Sequence, residues 1–282
     1  MLACERHGSG EPLVLLHGVT HRRQTWYPVL DLLARHREVI LVDLPGHGES
    51  PALVTNGRSV HLVLRECFRD FLAEQGLQRP HVAGNSLGGR IALEAGVDGL
   101  ARSVTAFSPA GFWRTDAAFA YTRHLFASAA ALIERAGTHT EWLAGTRAGR
   151  RLLYGVMMSH PQRVSREHAL GDVRAFRYAL PALRALLAEA TPFTGELPAG
   201  VPVTIAWAAR DLVLPPWQAD VARRALPDAG HLLMRGAGHV PMWDDPQRVA
   251  TILLRGSAPV AEVAPLSTRR TPDPRRGRAA TA

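Results

Sequence analysis

Three short stretches carry residue types that together can perform acyl chemistry. "GNSLGG" sets Ser86 between Gly84 and Gly88. A serine hydroxyl is a weak nucleophile alone and needs a neighbouring base. Among thirteen histidines, His239 in "GAGHVPMWDDP" is the best candidate. It follows the last strand-like run, and Gly236 and Gly238 let its backbone bend. The base in turn needs a carboxylate to set its tautomer and stabilise its charged form. Asp211 in "AWAARDLVLPPW" directly follows a buried-strand pattern, with Asp116 as the fallback. Asp244 and Asp245 follow the histidine too closely and are expected to start the final helix. The chain order is then Ser86, Asp211, His239.

A developing oxyanion also needs donors. The backbone N–H of Leu87, next to the serine, is one. The other is the N–H of Val19 in "LLHGVT", where Gly18 permits a turn; His17 is read as structural. The glycine spacing around Ser86 matches neither G-x-G-x-x-G nor G-x-x-x-x-G-K-[ST], so a phosphate-cradling loop is disfavoured. Side chains two residues before and after a serine in a tight strand-to-helix turn would collide, and Gly84 and Gly88 remove that collision. Such a turn throws the hydroxyl out at the top of the sheet.

The elements needed to position these groups are present in the pattern. "PLVLLHG" (12–18), "EVILVDLPG" (38–46), "RPHVAGN" (79–85), "SVTAFSPAG" (103–111), "VPVTIAWAA" (201–209) and "GHLLMRGAG" (230–238) read as strands. Most are apolar throughout, as in a parallel sheet covered on both faces. Amphipathic stretches at 25–36, 60–76, 86–96, 215–227 and 245–254 read as helices, with Pro215 and Pro246 near helix starts, where a missing N–H costs little. Alternation of the two predicts an α/β fold, a mainly parallel central sheet with helices on both faces. Residues 112–191 break the rhythm with helix-like runs only. The expected organisation is a core of 1–111 and 192–256, a helical cap or lid at 112–191, and a disordered Pro/Arg-rich tail at 257–282.

Composition narrows the class. Hydrophobic residues make up 46% and charged ones 21% of 282 residues, as in a globular chain. No apolar run reaches the roughly 18 residues of a spanning helix, and the N-terminus lacks the pattern of an ordinary signal peptide. The net charge is +8 and every one of the 33 basic residues is arginine. Part of that excess lies in the tail, so neither a nucleic acid nor a membrane is expected as a partner. Cys4 and Cys67 are expected as free thiols in a cytoplasmic protein, and no Cys/His spacing indicates a metal.

Taken together these motifs resemble the α/β-hydrolase fold family. "HGVT" is similar to its oxyanion loop, "VDLPGHGES" to its second strand-loop, "GNSLGG" to its nucleophile elbow, "AARDLVLP" to its acid loop and "GAGHVPMWDDP" to its histidine loop. The match runs from about residue 2 to 255, with the family's first strand missing or clipped. The resemblance implies a serine hydrolase that needs no cofactor and cleaves a small carboxylic ester, lactone or thioester. "GNS-GG" is also similar to carbon–carbon bond hydrolases acting on aromatic ring-cleavage products, which usually carry an aromatic where this chain has Val240. A ligand-binding homologue with slow or no turnover, or an acyl transferase, is a further alternative. Substrate contacts are expected from Asn85, Trp113 and Trp142. The apolar bulk of the lid favours an apolar acyl or aromatic group.

Overall fold

The computed structural model describes residues 1–258, and in it the continuously apolar runs become strands covered on both faces. The strands are β1 (Cys4–His7), β2 (Pro12–Leu16), β3 (Glu38–Val42), β4 (His81–Asn85), β5 (Ser103–Phe107), β6 (Val203–Ala208) and β7 (Gly230–Met234). They form one sheet in the order β1-β3-β2-β4-β5-β6-β7. Every neighbouring pair is parallel except β1 with β3.

Helices α1 (Tyr27–Ala34), α2 (Val60–Glu74), α3 (Leu87–Val97), α9 (Gln218–Ala225) and α10 (Pro246–Gly256) alternate with the strands. Alternate strand residues serve opposite layers. Val14, Leu16, Ile40 and Val42 share a core with Phe68, Phe71 and Ile91 of α2 and α3. Leu13, Leu15, Val39 and Leu41 share another with Val29, Leu33, Val249 and Leu253 of α1 and α10. Both faces are therefore dry, which is why the strands show no polar alternation.

From β2 the chain first builds β3 on one side and then β4 on the other. The carboxyl ends of β2 and β4 are neighbours there, with Leu16 opposite Gly84. A crevice opens at such a reversal of winding, outside the carboxyl ends of the strands.

Between β5 and β6 come only helices and turns: α4 (Asp116–Ala136), α5 (His139–Gly145), α6 (Arg147–Tyr154), α7 (Arg166–Tyr178) and α8 (Leu180–Ala188). The helix-like run "TEWLAGTRAGRRLLYGVMM" (140–158) divides at Thr146. There the Thr146 hydroxyl caps α6 by accepting from Gly149 N–H at 2.9 Å.

The sheet has seven strands among the described residues; the chain's own first strand, β1, which the sequence pattern did not mark, pairs antiparallel with β3 from Cys4–Val42 to His7–Val39. Its sequence "CERH" is polar because it is an edge strand whose Glu5 accepts from Arg23 Nε at 2.6 Å and from Tyr27 Oη at 2.9 Å. Asp244 does not start α10. Asp245 caps that helix by accepting from Arg248 N–H at 3.1 Å, and Asp244 turns inward. The tail expected to be disordered lies outside the described residues from 259 onward. Among the described residues no helix is long and apolar enough to cross a membrane.

Candidate active site

Ser86 caps α3 at the end of β4 with φ 55° and ψ −114°. A non-glycine residue at such a φ is uncommon and strained. The glycines around it make the turn possible. A Cβ at Gly84 would lie 2.2 Å from the backbone of Gly88, and one at Gly88 would lie 2.3 Å from the Leu16 carbonyl oxygen. The side chain of Ser86 lines a cavity of about 60 Å³.

Asp211 and His239 come to the same edge of the sheet from the loops after β6 and β7. His239 Nδ1 lies 2.8 Å from Asp211 Oδ2. Asp211 Oδ1 accepts from the N–H groups of Val213 at 2.9 Å and Leu214 at 2.7 Å. The carboxylate is thus fully engaged and 1% exposed. A carboxylate at Nδ1 requires the proton there, which leaves Nε2 free to act as a base. Among the described residues no hydrogen bond joins His239 to the Ser86 hydroxyl. Such a bond often tightens only in the Michaelis complex. Asp116, the fallback acid, is exposed at the start of α4.

The Val19 loop is bent as sharply as the elbow. Thr20 has φ 66°, a strained value for a β-branched residue. A Cβ on Gly18 would stand 3.3 Å from Ser86 Cβ, so the loop packs directly on the elbow. Val19 and Leu87 line the same cavity as Ser86. Leu87 is the first residue of α3, where N–H groups lack intrahelical partners and the helix end favours negative charge.

His17 is fully buried and accepts at Nε2 from Leu44 N–H at 3.0 Å. Its Nδ1–H therefore donates to the Gly18 carbonyl at 2.7 Å. Burial pushes its pKa down to about 3, so it is a neutral strut between β3 and the loop. Arg23 anchors the other end of the loop, its guanidinium bonded to Asp43 and 2.7 Å from Glu49.

Two further residues support the histidine loop, and sequence patterning did not single them out for this. Asp244 accepts from Gly238 N–H at 2.7 Å through Oδ2, and from Ser159 and His160 N–H at 3.0 and 2.7 Å. It ties the His239 loop to the segment after α6. Asn85 donates both amide hydrogens, to the Phe107 carbonyl at 3.1 Å and the His239 carbonyl at 2.9 Å. Asn85 is therefore a buried brace and not part of the cavity lining, contrary to its expected substrate contact. Trp142 also departs from expectation. It is 70% exposed on α5 and lies outside the cavity lining, since the short α5 turns that position outward. Trp113 does line the cavity, stacked on Phe119 at 4.5 Å between ring centroids.

A second, larger cavity of about 290 Å³ lies among α4, α6 and α7 and reaches Thr20 and His21 of the Val19 loop. Phe126 lines both cavities. Among the described residues no group of three or more His, Cys, Asp or Glu side chains is placed to hold a metal ion.

Residues 13–252 match the Alpha/beta hydrolase family. An Acinetobacter baylyi protein, (E)-2-((N-methylformamido)methylene)succinate hydrolase, is 38% identical over 86 residues, which is 30% of this chain and 31% of that relative. RutD of Escherichia coli, provisionally named a carbamate hydrolase, is 28% identical over 250 residues, covering 87% of this chain and 91% of the relative. A thermophilic esterase from Thermogutta terrifontis, solved with malate bound, superposes with a TM-score of 0.69 at 21% identity, over 90% of this chain and 91% of that one.

Proposed function

The chain belongs to the α/β-hydrolase family and is a hydrolase, and from that premise we propose that it cleaves a small carboxylic ester, lactone or thioester through an acyl-enzyme on Ser86. The carrying observation is the strained Ser86 backbone at the end of β4, facing a cavity at the edge where His239 and Asp211 are bonded. In this reading His239 Nε2 takes the proton as Ser86 Oγ attacks the carbonyl carbon. Asp211 holds the imidazole in register and stabilises its charged form. The N–H groups of Val19 and Leu87 stabilise the oxyanion. The proton then passes from His239 to the leaving group, and water, deprotonated by His239, releases the acid.

The size of the two cavities supports a bipartite substrate. The small space at Ser86 accepts a short acyl group. The apolar space between α4, α6 and α7 accepts a bulkier apolar or aromatic leaving group, so residues 112–191 act as a lid. The carbon–carbon reading leaned on Asn85, whose amide hydrogens are already spent on two carbonyls, and ester chemistry is therefore preferred.

Fluorophosphonate labelling together with turnover of p-nitrophenyl esters tests this reading. Wild type is expected to be labelled and active. Ser86→Ala is expected to be unlabelled and to lose about 10⁴-fold or more in kcat/KM. A Ser86→Ala variant with full activity would overturn it.

A further inference from the structure

The loop that carries Val19 ends in two successive arginines, Arg22 and Arg23. The backbone at Arg22 is extended, with φ −145° and ψ 167°, so neighbouring side chains leave it on opposite sides. Arg23 turns to the core, where it meets Asp43. Arg22 turns to the helical insertion. Its Nε donates to Asp172 Oδ1 on α7 at 3.1 Å, and its Nη2 donates to the His168 carbonyl at 3.4 Å.

The seat on α7 is shaped for this side chain. A Cβ on Gly171 would stand 2.1 Å from Arg22 Nη2 and 2.5 Å from its Cζ. The guanidinium thus fills space that a glycine leaves open, although glycine weakens a helix interior. Asp172 is buried, and its other oxygen accepts from Tyr154 Oη of α6 at 3.2 Å. Burial, and then the Asp172 charge, push the Tyr154 phenol well above its ordinary pKa, so it stays protonated and donates. With Arg22 and Tyr154 both on it, Asp172 is a compensated charge, and removing either side of the ion pair would strand the other.

From this anchor a short series of contacts leads back to Ser86. The N–H of His21, the residue before Arg22, donates to the Gly18 carbonyl at 3.2 Å. His17 Nδ1–H donates to the same oxygen at 2.7 Å. That carbonyl and the Val19 N–H belong to one planar peptide unit, so fixing the oxygen fixes where the N–H points. His17 holds this peptide from the side of the sheet, and Arg22 holds it from the side of α7.

We propose that Arg22 and Asp172 are positioning residues, whose ion pair clasps the Val19 loop to the insertion and aims the Val19 N–H at the oxyanion formed on Ser86. The inference rests on the ester-hydrolase reading and adds that α7 contributes to the chemical step through the loop it holds. One oxyanion donor is worth about 10²- to 10³-fold in rate. A donor displaced from its aim loses part of that, while the ground state, which carries no oxyanion, is bound as before.

Two matched ketones test this. Benzyl trifluoromethyl ketone adds to a serine hydroxyl and mimics the tetrahedral oxyanion, whereas benzyl methyl ketone binds without adding. Each is scored as a competitive inhibitor of p-nitrophenyl acetate hydrolysis, and inhibition constants do not depend on how much protein folds. Arg22→Met is expected to weaken the trifluoromethyl ketone and to lower kcat/KM by about tenfold to a hundredfold, with the methyl ketone unchanged within about threefold. The double variant Arg22→Met with Asp172→Asn strands no charge and is expected to remain as impaired. Gly171→Ala evicts the guanidinium while favouring the helix, and is expected to shift the ketone ratio in the same direction. An unchanged ratio in Arg22→Met, equal weakening of both ketones, or recovery in the double variant overturns the positioning role. Recovery would mean that the cost came from a stranded charge. Each of these outcomes leaves the ester-hydrolase reading intact. If wild type does not distinguish the two ketones and Ser86 resists fluorophosphonate, both readings fall together.

Discussion

The carboxyl edge of the sheet and the helical insertion between β5 and β6 are built by different rules. At the edge, Ser86, Asn85, Asp211, His239 and Asp244 are all at most 5% exposed. Their partners are mostly backbone N–H and C=O groups, which cannot move without moving a strand. In the insertion several charged contacts are surface pairs such as Arg184–Glu134, at 61% and 43% side-chain exposure, while Asp172, paired with Arg22, is a buried exception. Large apolar side chains there, including Trp142 and Leu152, face solvent at 70% and 69%. Exposed pairs of this kind contribute little to stability. The edge is therefore specified for one geometry, while the insertion is held by packing that many side chains could supply. In the proposed reading, chemistry that tolerates little displacement belongs to the first region, and selection among substrates to the second.

Substitutions can break this contrast, and the largest effect is expected at the edge. Asp211→Asn keeps the shape of the side chain but removes the charge that sets the His239 tautomer. It is expected to lower kcat by about 10³- to 10⁴-fold with the fold intact, as followed by ester turnover and circular dichroism. A loss smaller than tenfold would mean that Asp211 does not serve His239 as the acid of the site.

Gly88→Ala tests the steric side of the edge. Its new Cβ would fall 2.3 Å from the Leu16 carbonyl oxygen and 2.6 Å from that of His17. Both oxygens belong to the backbone at the end of β2, so relief requires the strand or α3 to shift. A destabilisation of about 3 kcal/mol is expected in urea unfolding. A change within about 0.5 kcal/mol would show that the elbow relaxes more freely than its contacts imply.

Acid should weaken the fold through the histidines buried near the edge. Burial lowers the pKa values of His17 and His47 to about 3, well below the unfolded value of about 6.5. Between those limits the unfolded chain binds protons that the folded chain refuses. Stability is therefore full above about pH 6.5 and falls as pH drops towards 3, by up to about 1.4 kcal/mol per pH unit for each histidine. Urea midpoints at pH 7.5 and 5.5 check this, with the lower midpoint expected at pH 5.5. His17→Gln should flatten part of the dependence.

The smallest effect is expected in the insertion. Trp142→Ala removes an exposed ring that lies outside the cavity lining, so kcat/KM for any good ester should stay within about twofold, as surface changes usually leave stability within 0.5 kcal/mol. A tenfold change would mean that Trp142 meets substrate in a closed arrangement of the lid, and the contrast between the two regions would need redrawing.

Much of the edge was legible in the chain because its signals are local. Glycines two residues to either side of Ser86 report a clash that any tight strand-to-helix turn would create. Apolar runs without alternation report two covered faces. What escaped were features whose cause lies far away in sequence. The polar strand β1 exists because β3 offers it an open edge, and no hydrophobic period marks it. Asp244 reads as the start of a helix until Gly238, Ser159 and His160 turn their N–H groups on it. Trp113 and Trp142 are equivalent as apolar bulk in the sequence, and only the packing of α4 and α5 separates them.

The sequence by itself marked six of the seven strands, the elbow around Ser86, and Asp211 and His239 as the candidate acid and base, since periodicity and turn sterics act over a few neighbouring residues. The tertiary structure alone decided that Asn85 spends its amide on the carbonyl of His239, 154 residues away, and that Asp244 accepts from the N–H groups of Gly238, Ser159 and His160. Those assignments depend on which distant groups the sheet and its helices bring within hydrogen-bonding distance, and short-range sequence patterns do not encode that.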